Sequence, residues 1–209
     1  MNNFSPNMLK TYKLCPKKYY FKYIENLSMP QSNLPFEKGK KIHALAHYKL
    51  QGINIDRLET SLNNKEKETW NLLQSNEFYN KDFYKSEFQI NIKIDSYWIG
   101  GRIDAIVKEG DNYYILDYKT GSIPNNAEFD FQTMVYLLCA NRYIKNYRTL
   151  SFVYINLKDK NNYIIPFNQE VEGIYRQEII STCKTISCDK TFLCNYEKCK
   201  NCEYYQLCK

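Results

Sequence analysis

Residues 101–121, GRIDAIVKEGDNYYILDYKTG, constrain the fold of this chain more than any other stretch. They read as two strands joined by a tight turn. Positions 102–107 and 113–119 are rich in apolar, β-branched and aromatic residues, and they flank the turn signal Glu109-Gly110-Asp111-Asn112. A loop centred on Gly110-Asp111 pairs Lys108 with Tyr113, Ile106 with Ile115, and therefore Asp104 with Asp117. Side chains alternate along a strand, so Asp117 and Lys119 share a face and Asp104 joins them from across the ladder. Like charges directly opposite one another destabilise a strand pair. Two carboxylates and an ammonium among Ile, Val, Leu and Tyr therefore point to a cation held between them.

The rest of the chain is consistent with an α/β protein. Ser5-Pro6 is a helix start, a Ser N-cap followed by Pro at the first helical position, and the helix is expected to run to about Ile24. Leu9, Tyr12, Tyr19 and Tyr23 form its apolar stripe; Lys10, Lys13 and Lys17 read as a solvated face. A loop spans 26–35, a second helix 36–50, and a mostly polar helical stretch 56–76, packing through Leu58, Leu62, Trp70 and Leu73. Residues 85–94, KSEFQINIKI, alternate: Phe88, Ile90, Ile92 and Ile94 face one way, Glu87, Gln89, Asn91 and Lys93 the other. After the hairpin come a helix over 128–144 with Phe131, Val135, Leu138 and Cys139 inward, two strands over 149–157 and 163–167 around a turn at 159–162, and a helix over 169–186. This order fits a mixed central β-sheet flanked by helices on both sides.

The 209 residues suit one domain, or one domain with an appendage, and are enough to bury a sizeable core. With 44% hydrophobic and 25% charged residues the chain has the composition of an ordinary globular protein. No apolar run approaches the length of a membrane span, and the opening MNNFSPNMLK lacks the apolar centre of a signal peptide, so the expected setting is the cytoplasm, without a membrane partner. The net charge of +6 suits a polyanion only weakly, because Lys, Asn, Ile and Tyr are abundant throughout. The eight cysteines carry more information. Disulfides are not the default in a reducing compartment, and four of the eight lie within the last sixteen residues, which points to a metal site.

The hairpin resembles the PD-(D/E)XK nuclease superfamily. Its nearest branch is the RecB-type nuclease domain, with a Gly-x-x-Asp strand followed by an Asp-Tyr-Lys-(Ser/Thr) strand; here these are Gly101-Arg102-Ile103-Asp104 and Asp117-Tyr118-Lys119-Thr120. Further matches lie outside it. Cys15-Pro16-Lys17-Lys18-Tyr19-Tyr20 resembles the N-terminal motif of the iron–sulfur members of that branch, although a lone Cys is more often a buried thiol. Gly39-Lys40-Lys41-Ile42-His43 resembles the helix that supplies a metal-binding His; His47, one turn on, reads as a bystander or a supporting group. Glu87 occupies the place where relatives carry an accessory metal or water ligand, with a solvent-facing Glu as the bland alternative. Gln132-x-x-x-Tyr136 resembles the family's helix beside the active site, where Gln bonds a phosphate or base and Tyr stacks; otherwise it is one face of an ordinary helix.

In the tail, Cys199-x2-Cys202-x5-Cys208 is a metal-ligand spacing that needs a fourth thiolate, from Cys15 or Cys194. Spacing alone does not separate zinc from iron. The resemblance implies a 4Fe–4S cluster on Cys15, Cys199, Cys202 and Cys208, as in RecB-like and CRISPR-associated adaptation nucleases. The expected organisation is therefore a single nuclease domain over 1–209, restriction-endonuclease-like, with the N-terminal helix (1–24) and the tail (189–209) joined as a cysteine clasp. Cys183 and Cys188 have no assigned role.

The resemblance implies a metal-dependent DNA nuclease. Asp104 and Asp117 would hold Mg²⁺ or Mn²⁺, completed by the Tyr118 backbone carbonyl and His43, an imidazole tilting the choice toward Mn²⁺. Lys119 would orient the attacking water and neutralise charge on the phosphate. The expected activity is that of a RecB-like exonuclease of repair or recombination, acting on DNA with a free end or a single strand. The rivals are a CRISPR-adaptation nuclease trimming spacer precursors and a non-catalytic DNA-binding module of the same fold. The sequence has no Gly-x-x-x-x-Gly-Lys-(Ser/Thr) loop, so any unwinding would need a helicase or another recombination or CRISPR protein.

Overall fold

The computed structural model describes residues 3–29 and 34–208. Part of the loop expected over 26–35 lies outside the described residues. The chain forms β1 (Asn3–Phe4), α1 (Pro6–Leu14), α2 (Pro16–Tyr19) running into a π-helical turn (Tyr20–Ile24), α3 (Leu34–Leu50), α4 (Asp56–Thr60) and α5 (Asn64–Gln74). Then follow β2 (Asp82–Ile94), β3 (Tyr97–Glu109), β4 (Asn112–Lys119), α6 (Phe131–Tyr143), β5 (Thr149–Asn156), β6 (Asn161–Pro166) and α7 (Gln169–Cys188), with short 3₁₀ turns in the tail. This is the expected mixed α/β core.

Two helices differ from expectation, each for a local reason. The first is not continuous to Ile24. Ser5 caps it as expected, its Oγ accepting from the Met8 N–H at 3.3 Å. It then stops at Cys15, whose backbone is extended (φ −163°, ψ 111°). Pro16 disfavours a helical conformation at the residue before it, and its ring lacks an N–H. The polar stretch 56–76 is likewise split. Asn63 starts a new helix with a reciprocal capping box, in which Asn63 Oδ1 accepts from the Glu66 N–H and Glu66 Oε2 from the Asn63 N–H.

The hairpin register agrees with the sequence reading. Lys108 pairs with Tyr113 and Ile106 with Ile115, around a turn in which Gly110 takes φ +58°. The ladder ends, however, at Ala105 and Leu116, one step before Asp104 and Asp117. β2 pairs along one side of β3, so both other partners of β3 lie on its second side: β1, parallel at Trp98 and Ile99, and β4, antiparallel from Ala105 onward. Between them, no strand among the described residues pairs with 100–104 on that side. β4 continues parallel to β5 through a crossover containing α6, and β6 closes the sheet against β5.

One face of the sheet packs against α1, α6 and α7 through a core that includes Leu9, Tyr19, Ile103, Ile106, Ile115, Val135, Leu138 and Ile179. The other packs against α3 and α5 through Ile42, Leu45, Trp70, Leu73, Ala105, Val107, Leu116 and Tyr118. Helix α6 is buried almost all round, as a crossover helix wrapped by neighbours must be. The lysines of the first helix are engaged rather than simply solvated: Lys10 pairs with Asp130, Lys13 with Glu178, and Lys17 Nζ lies 5.0 Å from the Tyr20 ring centroid. Among the described residues no helix is long and apolar enough to cross a membrane.

Candidate active site and cysteine clasp

The site forms where the sheet loses its regular alternation. Along β3, Ile99 and Ile103 face one core, and two residues later Ala105 and Val107 face the other. Ile106 has taken over the first face, so the inside–outside pattern slips by one residue at Asp104. The paired strand slips at the same level. Ser86 is opposite Ala105 and Phe88 opposite Ile103, which leaves Glu87 beside Asp104, and Glu87 has φ +47°. A left-handed backbone is rare for a residue with a side chain; where it persists, the surrounding structure holds it. Here it turns Glu87 out of the simple alternation and toward Asp104.

Three elements converge on Asp104. Its Oδ2 accepts from the Tyr118 N–H at 3.1 Å, replacing the ladder bond that the splayed strands no longer make. Its Oδ1 lies 3.2 Å from His43 Nδ1 on α3, and His43 Nε2 lies 2.9 Å from the Tyr118 carbonyl. Potential ligand atoms of His43, Glu87 and Asp104 all lie within 4.8 Å of one another. Burial by itself would lower the His43 pKa. The bonded Asp104 carboxylate outweighs it, helped by the charge of Asp117 and the Tyr118 carbonyl, and raises the value from 6.5 to about 9. In this arrangement the imidazolium donates both N–H groups to two oxygens of the expected metal shell.

A second cluster lies alongside. Lys119 Nζ is 2.8 Å from Asp117 Oδ2, off the line of a hydrogen bond, and donates to Gln132 Oε1 at 3.1 Å. Gln132 Nε2 donates to Asp117 Oδ1. Asp117 is only 3% exposed, and burial raises its pKa; the charge of Asp104 adds to this, while Lys119 and His43 oppose it. Gln132, expected to touch DNA, thus holds the catalytic-type pair together. Gln132 is positioned by Asp130, the N-cap of α6, whose Oδ1 accepts from the Gln132 N–H at 3.0 Å and whose Oδ2 accepts from Lys10 at 2.6 Å. Asp117 points into this second cluster rather than into the His43–Glu87–Asp104 group. His47 bonds Ser86 Oγ through Nδ1 at 2.8 Å, and Arg102 Nε pairs with Glu87 Oε2 at 2.7 Å.

These side chains line a cleft of about 880 Å³. Its walls include Ser5 and Asn7 at the start of α1, Lys40 and His47 on α3, and Tyr136 on α6. Two adjacent glycines of β3, of which Gly101 lines the cleft, have different tasks. A Cβ on Gly100 would collide with the Ile90 carbonyl and stand 2.8 Å from Asn91 Cβ on the paired strand. A Cβ on Gly101 would meet Tyr136 Oη at 2.8 Å. Gly100→Ala is therefore expected to destabilise the protein by roughly 1–3 kcal/mol, the usual cost of overpacking. Gly101→Ala should cost less stability but displace Tyr136 and slow nucleolytic cleavage. Denaturant melts and nuclease assays on the pair check the contrast; equal effects on both readouts would refute it.

A family model for the PD-(D/E)XK nuclease superfamily matches residues 3–209. This chain belongs to the PD-(D/E)XK nuclease superfamily. Among curated relatives, it is 22% identical to the CRISPR-associated exonuclease Cas4 of Francisella tularensis subsp. novicida (strain U112), over 97% of this chain and 91% of the relative. Among solved structures, a protein of Eubacterium rectale named as a candidate exonuclease superposes with a TM-score of 0.62 at 8% identity, covering all of this chain and 88% of its own, a likeness of fold.

For a nuclease of this superfamily, the donor set fits a divalent cation. Carboxylate and carbonyl oxygens with one imidazole suit Mg²⁺ or Mn²⁺, and an added positive charge relieves the crowding of Asp104, Asp117 and Glu87. His43 has a measurable consequence in the metal-free protein. Its folded-state pKa is raised, so its contribution to stability is fully present below 6.5 and is lost as pH rises through about 9. The metal-free melting temperature is expected to fall across that window, and His43→Gln to flatten the fall. Parallel wild-type and variant profiles would remove the imidazolium from the account.

The start of α2 and the tail meet at a second cavity, of about 310 Å³, lined by Cys15, Cys194, Cys199, Cys202 and Cys208. The break at Pro16 prepares it. It frees the Leu14 carbonyl and the Lys17 N–H, and the tail uses both: Asn195 Nδ2 donates to Leu14 O at 3.0 Å, and Lys17 N donates to Leu193 O at 3.2 Å. The Asn195 N–H reaches Cys15 Sγ at 3.4 Å. The tail is fixed further by Lys18–Glu203 at 2.8 Å, by Tyr204 Oη donating to Leu27 O at 2.8 Å and by Tyr12 Oη donating to Asp189 at 2.6 Å. Burial raises the Cys208 pKa, and Cys202, Cys15 and Cys199 raise it further against an opposing hydrogen bond from Cys194. Thiols gathered this way fit a soft metal centre, which displaces their protons on binding. Cys139 and Cys183 are buried in the main core and Cys188 is exposed.

Proposed function

We propose that this chain is a divalent-metal-dependent DNA exonuclease with a 4Fe–4S cluster in its clasp. The observation that carries the first part is the convergence of His43, Glu87, Asp104 and the Asp117–Lys119 pair on one cleft at the splayed ends of β3 and β4. His43, Glu87, Asp104 and the Tyr118 carbonyl would hold the cation, with Asp117, still paired with Lys119, adding an oxygen. The cation supplies charge neutralisation for the scissile phosphate and lowers the pKa of an attacking water. Lys119, steadied by Gln132, is placed to orient that water and to offset charge building on phosphorus. Arg102, two-thirds exposed at the mouth, is placed to pair with an approaching phosphate.

The biological setting has two readings, RecB-like recombination or repair and CRISPR adaptation. The relative that spans nearly the whole chain favours the second. In either setting a helicase or CRISPR protein is the expected partner. The test of the activity is incubation of end-labelled single- and double-stranded DNA, with RNA as a control, in Mg²⁺ or Mn²⁺. Shortening from a free end that EDTA abolishes supports the reading; no cleavage of any substrate with either metal would overturn it.

A further inference from the structure

The clasp cavity is lined by five cysteines, whereas a 4Fe–4S cluster takes four thiolates, one to each iron. Cys194 is the surplus thiol, and its Sγ lies 3.4 Å from Cys199 Sγ. Cys194 also bonds the Cys208 thiol, but more weakly than Cys199. On the cluster reading proposed above, thiolates that cap different irons occupy separate corners, so the corner Cys194 addresses is that of its stronger partner, Cys199. Both are already fixed there. Cys194 sits between Leu193, whose carbonyl accepts from Lys17, and Asn195, whose N–H reaches Cys15 Sγ. Cys199 lies in the 3₁₀ turn Tyr196–Asn201, and its thiol reaches back to the Asn195 carbonyl at 3.6 Å.

We propose that Cys194 is an alternative cluster ligand that exchanges with Cys199 at a single coordination position, while Cys15, Cys202 and Cys208 hold the other three. The exchange is balanced: the entering thiol gives up a proton, the departing thiolate takes one, and no electron moves. A single tetrahedral zinc would also accept two thiolates about 3.8 Å apart, given Zn–S bonds of about 2.3 Å. The experiment therefore separates the metals as well as the ligands.

Wild type, Cys194→Ala, Cys199→Ala, the double variant and Cys202→Ala are purified anaerobically and assayed for iron, labile sulfide, zinc and visible absorbance. Each single change at Cys194 or Cys199 is expected to leave iron and sulfide near the wild-type level. The double variant and Cys202→Ala should lose both by roughly tenfold or more. A Cys199→Ala protein as empty as the double variant overturns the exchange. A wild type that carries zinc without labile sulfide overturns the cluster reading itself, a distinct failure. Alkylation of the loaded wild type with iodoacetamide, followed by peptide mapping, needs no substitution. Each molecule is expected to carry one label on this pair, on Cys194 in some and Cys199 in others; full labelling of Cys194 with full protection of Cys199 refutes the proposal.

Discussion

Replacing Lys119 with alanine is expected to slow cleavage by about 10²–10³-fold, the scale seen when a preorganised charge-stabilising donor is removed. The geometry gives the reason. The ammonium lies 2.8 Å from a carboxylate that is 3% exposed and 3.1 Å from a glutamine oxygen, and its own side chain is about a quarter exposed. It is a charge held in place, so little reorganisation precedes the reaction. Its removal also leaves Asp117 buried with less compensation. Burial already raises the Asp117 pKa and Lys119 opposes that rise, so the variant pushes the carboxyl further toward its protonated form. The pH profile of the residual activity should therefore shift to higher pH, and stability should fall by at most about 3 kcal/mol. Adding Asp117→Asn should restore much of that stability and none of the activity. Cleavage by Lys119→Ala within a few-fold of wild type would remove Lys119 from the chemistry.

The local features of this site were more legible in the sequence than its three-dimensional join. Gly110 and its neighbours fix the hairpin register, and the pairing of Ile106 with Ile115 follows directly. That reading also places Asp104 opposite Asp117, on the assumption that alternation continues to the strand end. The alternation slips at Asp104 and Glu87, and nothing in the residue types announces that a glutamate takes φ +47°. Glu87 consequently stands in the metal-type group, where alternation alone made a solvent-facing role nearly as good a reading. The break in the first helix had a readable signal, since a residue before proline resists helical geometry, and Cys15 is that residue. β1 had none: two residues are too short for any periodicity, yet by pairing with Trp98 and Ile99 they define one end of the open stretch of β3. Gln132 was singled out by the family resemblance and not by its helix pattern, and its partners are set by Asp130 and the tertiary packing of α6.

Cys15→Ala is expected to lower both stability and activity. The proposed cluster would join residue 15 to residues 199–208, and loop closure grows only with the logarithm of loop length. A cross-link of this span contributes up to about 5 kcal/mol in the chain-entropy description. The tail's own bonds to Leu14, Lys17, Lys18 and Leu27 remain in the variant, so a loss of about 3 kcal/mol is the better expectation, a fall of roughly 6–12 °C for a chain of this size. Anaerobic calorimetry measures it, and an unchanged transition would show that the proposed cluster adds nothing to the fold. The effect on cleavage has a separate route. α1 begins at the cleft wall and ends at Cys15; between them Lys10 holds Asp130, the residue that positions Gln132 against Lys119 and Asp117. Loosening the clasp should therefore let α1 shift and misplace Gln132, slowing cleavage without touching the acidic residues. Lys10→Ala cuts this route while leaving the cysteines intact. If it slows cleavage with the cluster fully retained, and Cys15→Ala adds little further slowing, α1 carries the coupling; if Cys15→Ala melts early but cleaves at the wild-type rate below its transition, the clasp is structural alone.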